Sequence, residues 1–345
     1  MNKHVCTPQA TVFCGIDVSA ASLAVAVIEP DGSLAQREFP NTASGHEALL
    51  VWLKMRNSQV RVSLEATGIY SLDLALALDS AAYIELMVLN PKLANRFAQT
   101  VRRSRTDAAD AVALAEYSRR MPFRRWQRPA ANHLELRTVS RYIGSLVVEQ
   151  AGLKTRLRSS ENTATTPRAV LVDLKRSLAA VERRVKRLRA AALKLIEAEV
   201  ELHKRYQLLT TVPGIGAVNA LTILSELILL APEMTVRQWV ASSGLDPVHQ
   251  QSGTSLNKPS RISRAGNRRL RAALYMSALS ASRYDRHLAA FYRALRERHK
   301  TGMQALMAVA RKILHAIYGI FKSGTHYDGR RLFPHIQIEV ESIAG

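Results

Sequence analysis

The chain is 345 residues long, enough for two or three domains with cores of their own. Lys and Arg number 49 against 28 Asp and Glu, a formal charge of +21, and that excess points to a polyanionic partner, nucleic acid before membrane. No apolar run approaches the ~18 residues of a membrane span, Met1–Ala10 lacks a signal-peptide core, and Cys6 and Cys14 alone build neither a disulfide framework nor a four-ligand zinc site. The expectation is a bacterial cytoplasmic, nucleoid-associated protein with no membrane segment.

Val12–Ser19 (VFCGIDVS) alternates and then runs apolar, as a strand buried on both faces does, and delivers Asp17 at its C-terminal end. Taken alone, Asp17 is either a polar cap on a core strand or the first ligand of a metal site. Ser22–Glu29, the turn Pro30-Asp31-Gly32 and Ser33–Phe39 complete an antiparallel meander. A helix from Gly45 to Met55 carries Leu49, Leu50 and Leu53 on one face. Gln59–Ala66 alternates strictly, with Val60, Val62 and Leu64 on one side and Arg61, Ser63 and Glu65 on the other. Tyr70–Leu78 reads as helix, Ile84–Leu89 as strand, and Pro91 opens another helix at its first turn. Three meandering strands, then strands alternating with helices, is the order of the ribonuclease H-like fold. An actin-like sugar kinase begins the same way, but the net charge and the lack of a second Gly-rich phosphate loop after Glu65 argue against it.

Thr106–Arg120 is the next helix. Thr106 caps it, and Asp107 and Asp110, spaced i, i+3, share a face of its first turn. Acids there commonly do no more than complement the helix dipole. Arg102, Arg103 and Arg105 precede them, and two acids beside a cationic loop fit a metal site that receives a phosphate. Pro122–Pro129 (PFRRWQRP) is a breaker-rich stretch, read equally as a nucleic-acid contact and as a plain connector.

The middle third steps by three and four through Leu136, Val139, Ile143, Leu146, Gln150, Leu153 and Leu157. After the Ser159–Pro167 loop, the stepping resumes from Leu171 to Leu195, which predicts a helical hairpin or a coiled coil between subunits. A second arm of about forty residues would reach on the order of 60 Å. Its outer face carries Arg183, Arg184 and Arg187 with few acids, which favours nucleic-acid contact over a merely solvated exterior.

Further on, Pro213-Gly214-Ile215-Gly216 makes a tight turn between apolar helices. This looks like a helix-hairpin-helix, in which Gly214 and Gly216 allow close approach to a DNA backbone. Trp239–Ala273 is dense in Ser, Gly, Lys and Arg, with Lys258, Arg261, Arg264, Arg268, Arg269 and Arg271 crowded around Gly253 and Gly266. It reads as a flexible basic loop that neutralises phosphates, or as the carrier of a serine nucleophile whose attack on a phosphodiester the arginines assist. Physical chemistry does not choose among Ser242, Ser243, Ser252, Ser255, Ser260 and Ser263.

Taken together, GIDVS (Asp17), SLEATG (Glu65), SRTDAADAVALA (Asp107, Asp110), TVPGIGAVNA and SGLDPVHQQSGTS…ISRAGNRRLRAAL resemble one family over nearly the whole chain. They are similar to the DEDD transposases of the insertion-sequence family numbered one hundred and ten, relatives of a pilin-gene invertase. The resemblance implies a RuvC-like (RNase H-like) α/β domain at 1–130, a coiled-coil helical region at 131–207 and a mainly helical transposase domain at 208–345. It implies that Asp17, Glu65, Asp107 and Asp110 bind Mg²⁺ or Mn²⁺ and that Ser252 is the nucleophile. It further implies donor and target DNA as substrates, a non-coding guide RNA, and a homo-oligomer, dimer or tetramer. Two other readings stand beside it: a metal-only junction nuclease in which Ser252 merely binds phosphate, and a non-catalytic nucleic-acid scaffold.

Overall fold

The computed structural model describes residues 11–66, 68, 70–101, 106–252 and 256–335, with 249–252 and 256–259 described by backbone alone. The chain divides into two units, residues 1–128 and 129–345.

In the first unit Val12–Val18 (β1), Ser22–Ile28 (β2) and Leu34–Pro40 (β3) form the expected antiparallel meander. The Ser19 hydroxyl closes the first turn by accepting the N–H of Ser22 at 2.9 Å. Helix α1 (Ala43–Lys54) leads to β4 (Val60–Glu65), then α2 (Leu72–Asp79), β5 (Ile84–Leu89), α3 (Pro91–Val101) and α4 (Asp107–Arg120). The sheet order is β3-β2-β1-β4-β5, with β4 parallel to both β1 and β5.

Strand alternation sorts the side chains into two layers. Cys14, Ile16, Val62 and Leu64 pack with Leu49 and Leu53 of α1 and Leu74 and Leu78 of α2. On the other side, Ala111 and Ala115 of α4 lie against Ala26 and Ile28, while Leu114 and Tyr117 meet Met87, Leu89 and Ala94 of α3. Gly15 makes that seat possible: a β-carbon there would stand 2.1 Å from the carbonyl oxygen of Ala111 and 2.2 Å from the amide nitrogen of Ala115. The stretch after α4 is not an open linker. Trp126 packs against the first core, its N–H donates to the carbonyl of Leu86, and Phe123 lies under the Arg61 guanidinium. Its aromatics are therefore spent on packing.

The second unit begins with α5 (Ala131–Glu161) and α6 (Arg168–Glu197), which pair as an antiparallel hairpin within one chain. Leu136, Ile143, Leu146 and Leu153 are buried with Val181, Val185, Ala192 and Ile196. Ion pairs Lys175–Glu161 at 2.9 Å and Lys154–Glu182 at 3.3 Å run along the edge. The second arm is shorter than the expected forty residues. It ends at Glu197 after 30 residues, about 45 Å, because the chain turns at Ala198–Glu199 into α7 (Val200–Thr210).

There follow α8 (Ala217–Leu227), α9 (Val236–Ser243), the antiparallel pair β6 (Pro247–Ser252) and β7 (Leu256–Ile262), then α10 (Arg268–Tyr284), α11 (Arg286–Glu297), α12 (Gly302–Ser323) and α13 (Gly329–Leu332). These helices share one apolar core with the hairpin: Leu136, Ile143 and Ile196 belong to the same cluster as Leu224, Leu274 and Ile313. Inside this unit Glu226, 4% exposed, takes both Arg141 nitrogens at 2.7 and 2.8 Å and the Asn267 amide at 2.7 Å, tying α5, α8 and the start of α10 together. Among the described residues, no helix is long and apolar enough to cross a membrane.

Candidate active site

Asp17 is the penultimate residue of β1 and Glu65 the last of β4, so parallel pairing brings two strand ends that are distant in sequence to one edge of the sheet. Both lie on the α4 side, in step with Gly15 and Ser63. Thr106 caps α4 as its sequence predicts, accepting the N–H of Ala109 at 3.2 Å. The first turn of α4 then sets Asp110 over the strand ends. Asp17, Glu65 and Asp110 line one cavity of about 370 Å³, together with Lys92 and Asn95 of α3. Asp107, three residues before Asp110 on the helix, is exposed and does not line the cavity.

Crowding of like charge shows in the carboxyls. Burial, then the charges of Asp107 and Asp110, pushes Asp17 up to about 6. Burial, then Asp17 and Asp110, raises Glu65 as well. Among the described residues none of these four acids enters an ion pair, although Glu29, Glu85, Glu116 and Asp79 of the same unit each take an arginine. An uncompensated set of carboxylate oxygens is the donor chemistry of a hard divalent cation. No three His, Cys, Asp or Glu side chains among the described residues stand close enough to hold one as they are. Donor type fits a cation, and the spacing is open. A larger groove of about 670 Å³ lies by α1 and α2, lined in part by Asn41, His46, Tyr70 and Asp73. It contains none of the candidate catalytic, metal or nucleic-acid-binding residues proposed from sequence.

The basic segment is structured rather than a loop. Strands β6 and β7 pair from Pro247↔Ile262 to Ser252↔Leu256, which puts Ser252 at the far end of the ladder. Its base is held from three sides. The Ser263 hydroxyl donates to the Asp246 carboxylate, Arg271 to the carbonyl of Ser243 at 2.9 Å, and Arg311 to that of Leu245 at 3.1 Å. Ser242 and Ser243 each donate to a backbone carbonyl within α9. Those three serines thus have hydroxyls already engaged. Arg261, Arg264, Arg268 and Arg269 are exposed, and none is in an ion pair among the described residues. Burial, then repulsion from Arg264 and Arg268, pulls the Arg271 guanidinium down. Lys258 belongs to β7. Ser255, Gly253, Arg102, Arg103 and Arg105 lie outside the described residues.

Gly214 takes φ +80°, and a β-carbon on it would meet the carbonyl oxygen of Ser277 at 2.3 Å, so its role is to seat the turn on α10. Gly216 instead has open space and begins α8 without a side-chain cap. On the hairpin, Arg183 and Arg187 are exposed, and Arg184 lies over the Tyr142 ring and bonds its hydroxyl. Lys92 and Asn95 were not foreseen. The signal was there, in Asn90-Pro91-Lys92 opening a helix directly after a parallel strand.

Comparison with known proteins gives the class of enzyme. The model for DEDD transposases of the IS110 type matches residues 14–160, a span containing all four acids. A second, described as Transposase IS116/IS110/IS902 family, matches residues 206–293, which contain Ser252 and the arginines around it. The protein is a DNA transposase or recombinase. It is similar to the pilin gene-inverting proteins of Moraxella bovis and Moraxella lacunata, each 27% identical over 300 residues, 85% of this chain and 90% of the relative. It is also 31% identical over 161 residues, 47% of this chain and 38% of the relative, to the insertion element IS110 uncharacterized 43.6 kDa protein of Streptomyces coelicolor. The chain belongs to the IS110 family of transposases.

Proposed function

We propose that the chain cuts and rejoins DNA with two sets of groups: the acids of the first unit and Ser252 of the second. The observation that carries this is the cavity lined by Asp17, Glu65 and Asp110, none of which enters an ion pair among the described residues. Three antiparallel strands followed by two parallel ones, in the order β3-β2-β1-β4-β5 with helices on both faces, support an RNase H-like reading of that unit. Asp17, Glu65, Asp107 and Asp110 would hold Mg²⁺ or Mn²⁺, which when bound supplies charge stabilisation at a phosphate.

The protein's own groups do the rest. Ser252 attacks phosphorus through its oxygen, loses its proton, and releases one strand end as a hydroxyl. Attack of a second DNA hydroxyl on the phosphoserine bond rejoins the strands and regenerates the serine. Arg261, Arg264, Arg268 and Arg269 offset the phosphate charge. The hydroxyls of Ser242, Ser243 and Ser263 are engaged in hydrogen bonds, and the family resemblance at Ser252-Gly253 supports Ser252 as the nucleophile. The division into a metal-binding domain at 1–130, a helical region at 131–207 and a serine-bearing domain at 208–345 assigns these roles along the chain. The resemblance to the family, with the net charge of +21, supports a non-coding guide RNA carried partly on the α6 arginines, and a homo-oligomer as the working form.

A nicked suicide DNA substrate tests the reading. Wild-type protein should form a covalent protein–DNA adduct, Ser252→Ala should form none, and Ser263→Ala should still form it. Cleavage surviving in Ser252→Ala but lost in Asp17→Asn would replace the serine step with metal-only hydrolysis.

A further inference from the structure

Among the described residues, the cavity lined by α3 and the acids has one basic side chain. Lys92 lines it together with Asp17, Glu65 and Asp110, and it is exposed. Elsewhere in this unit the acids Glu29, Glu85 and Glu116 have drawn arginines into contacts of 2.6 to 3.1 Å. Lys92 makes no such pair among the described residues, although three carboxylates share its cavity. Its place is also fixed. Pro91 begins α3, and Asn90 accepts the Lys92 N–H at 2.9 Å on its side chain, while its carbonyl takes the N–H groups of Leu93 and Ala94 at 2.9 and 3.0 Å. The backbone donors of that first turn are consumed, so what α3 offers the cavity at this point is the ammonium group.

We infer that Lys92 is a substrate-binding residue of the transposition reaction, its ammonium donating to a non-bridging oxygen of the phosphate that sits in the acidic cavity. This rests on the proposed reading of that cavity as the place where a phosphodiester is handled. The chemistry follows from the sign of the charges. A DNA phosphate approaching Asp17, Glu65 and Asp110 meets repulsion, and a cation lining the same cavity lowers it. A lysine suits this because it acts as a point charge with rotatable donors and needs no fixed fork geometry.

The test uses the full-length protein. Binding of a fluorescein-labelled DNA duplex of arbitrary sequence is followed against salt in EDTA, and nicking of a supercoiled plasmid bearing the DNA that flanks the gene is followed with Mg²⁺. Lys92→Ala should cut about 100-fold more slowly and lower the salt slope of binding by about one. Lys92→Arg should restore the slope and part of the rate. An unchanged slope in Lys92→Ala would overturn the inference, even with slower cutting or a displaced pH profile, since either could come from altered charge balance among the acids. Asp17→Asn is the control on the parent reading. If it nicks DNA normally, the cavity is not the reaction site and the role of Lys92 falls with it. If Asp17→Asn is inactive and Lys92→Ala behaves as wild type, only the Lys92 inference fails.

Discussion

Gly15 and Ala111 are in contact through backbone alone: the carbonyl oxygen of Ala111 stands 2.1 Å from the point a β-carbon of Gly15 would occupy. Two residues beyond Gly15 is Asp17, and one residue before Ala111 is Asp110. The missing side chain therefore sets how closely the two acids approach. Gly15→Ala must push α4 off β1, because the obstacle is main chain and cannot rotate away. Overpacking of this kind costs about 3 kcal/mol. Urea denaturation should show that loss, and metal-dependent cutting should fall with it, whereas Gly144→Ala inside α5, where a β-carbon meets nothing, should leave cutting unchanged and raise stability by about 0.5–1 kcal/mol.

Burial of Asp17, with the like charges of Asp107 and Asp110 near it, gives a pH dependence of stability with a definite sign. Asp17 sits at about 6 in the folded chain against an ordinary 3.8, so between those values the folded state binds the proton more tightly and stability falls as pH rises. Asp17→Asn removes that penalty. The variant should be more stable than wild type above about pH 6 and no more stable below about pH 4, read from denaturation midpoints at the two ends. An equal gain at pH 3.5 and pH 8 would show that the cost of ionising Asp17 is not its source.

A divalent ion should relieve the same repulsion. Mg²⁺ or Mn²⁺ is expected to raise the thermal midpoint of the wild-type chain near pH 8 by preferential binding to the folded state. Asp17→Asn and Asp110→Asn should show little of that rise, which differential scanning fluorimetry measures without any DNA present.

Glu226 is the opposite electrostatic case. Burial works against its charge, but the Arg141 hydrogen bonds, helped by Asn267 and Arg137, outweigh it and hold the carboxyl below its usual range. Its contribution is present above the ordinary carboxylate pKa and is lost as pH falls through the depressed one. Removing one partner strands a buried charge, so Arg141→Leu or Glu226→Leu alone should cost about 3 kcal/mol, and the double variant should recover part of it. Additive losses in the double-mutant cycle would contradict the coupling.

On α6, Arg183 and Arg187 are exposed one turn apart. Replacing both by Glu should leave the fold intact and weaken binding of co-purifying RNA, with a salt slope shallower by about two. If retained RNA and slope match wild type, the hairpin exterior is only a solvated face.

Much of the first unit was legible because its signals are local. Alternation in Val60–Glu65, Pro91 at the first turn of α3 and Thr106 as cap of α4 each depend on neighbours within four residues. The heptad stepping from Leu136 to Leu195 likewise marked the buried seam of the hairpin. What misled was composition. Residues 247–262 are too rich in Ser, Pro and Gln to look like strands, yet β6 and β7 pair with each other, and Arg271 and Arg311 hold the carbonyls of Ser243 and Leu245 just before them. Trp126 between arginines looked available to nucleic acid, and its indole went to the core.

By itself the sequence determined most elements of the first unit, the hairpin seam and the excess of positive charge, and its ordered acidic motifs resembled one transposase family. Periodicity, capping and net charge need no knowledge of distant contacts. Only the tertiary structure decided that Asp17, Glu65 and Asp110 share a cavity with Lys92 while Asp107 is not among its lining residues. That grouping arises from the parallel pairing of β1 with β4 and from the close seat of α4 on Gly15. Both are contacts between segments far apart along the chain, whose geometry no local pattern of residues encodes.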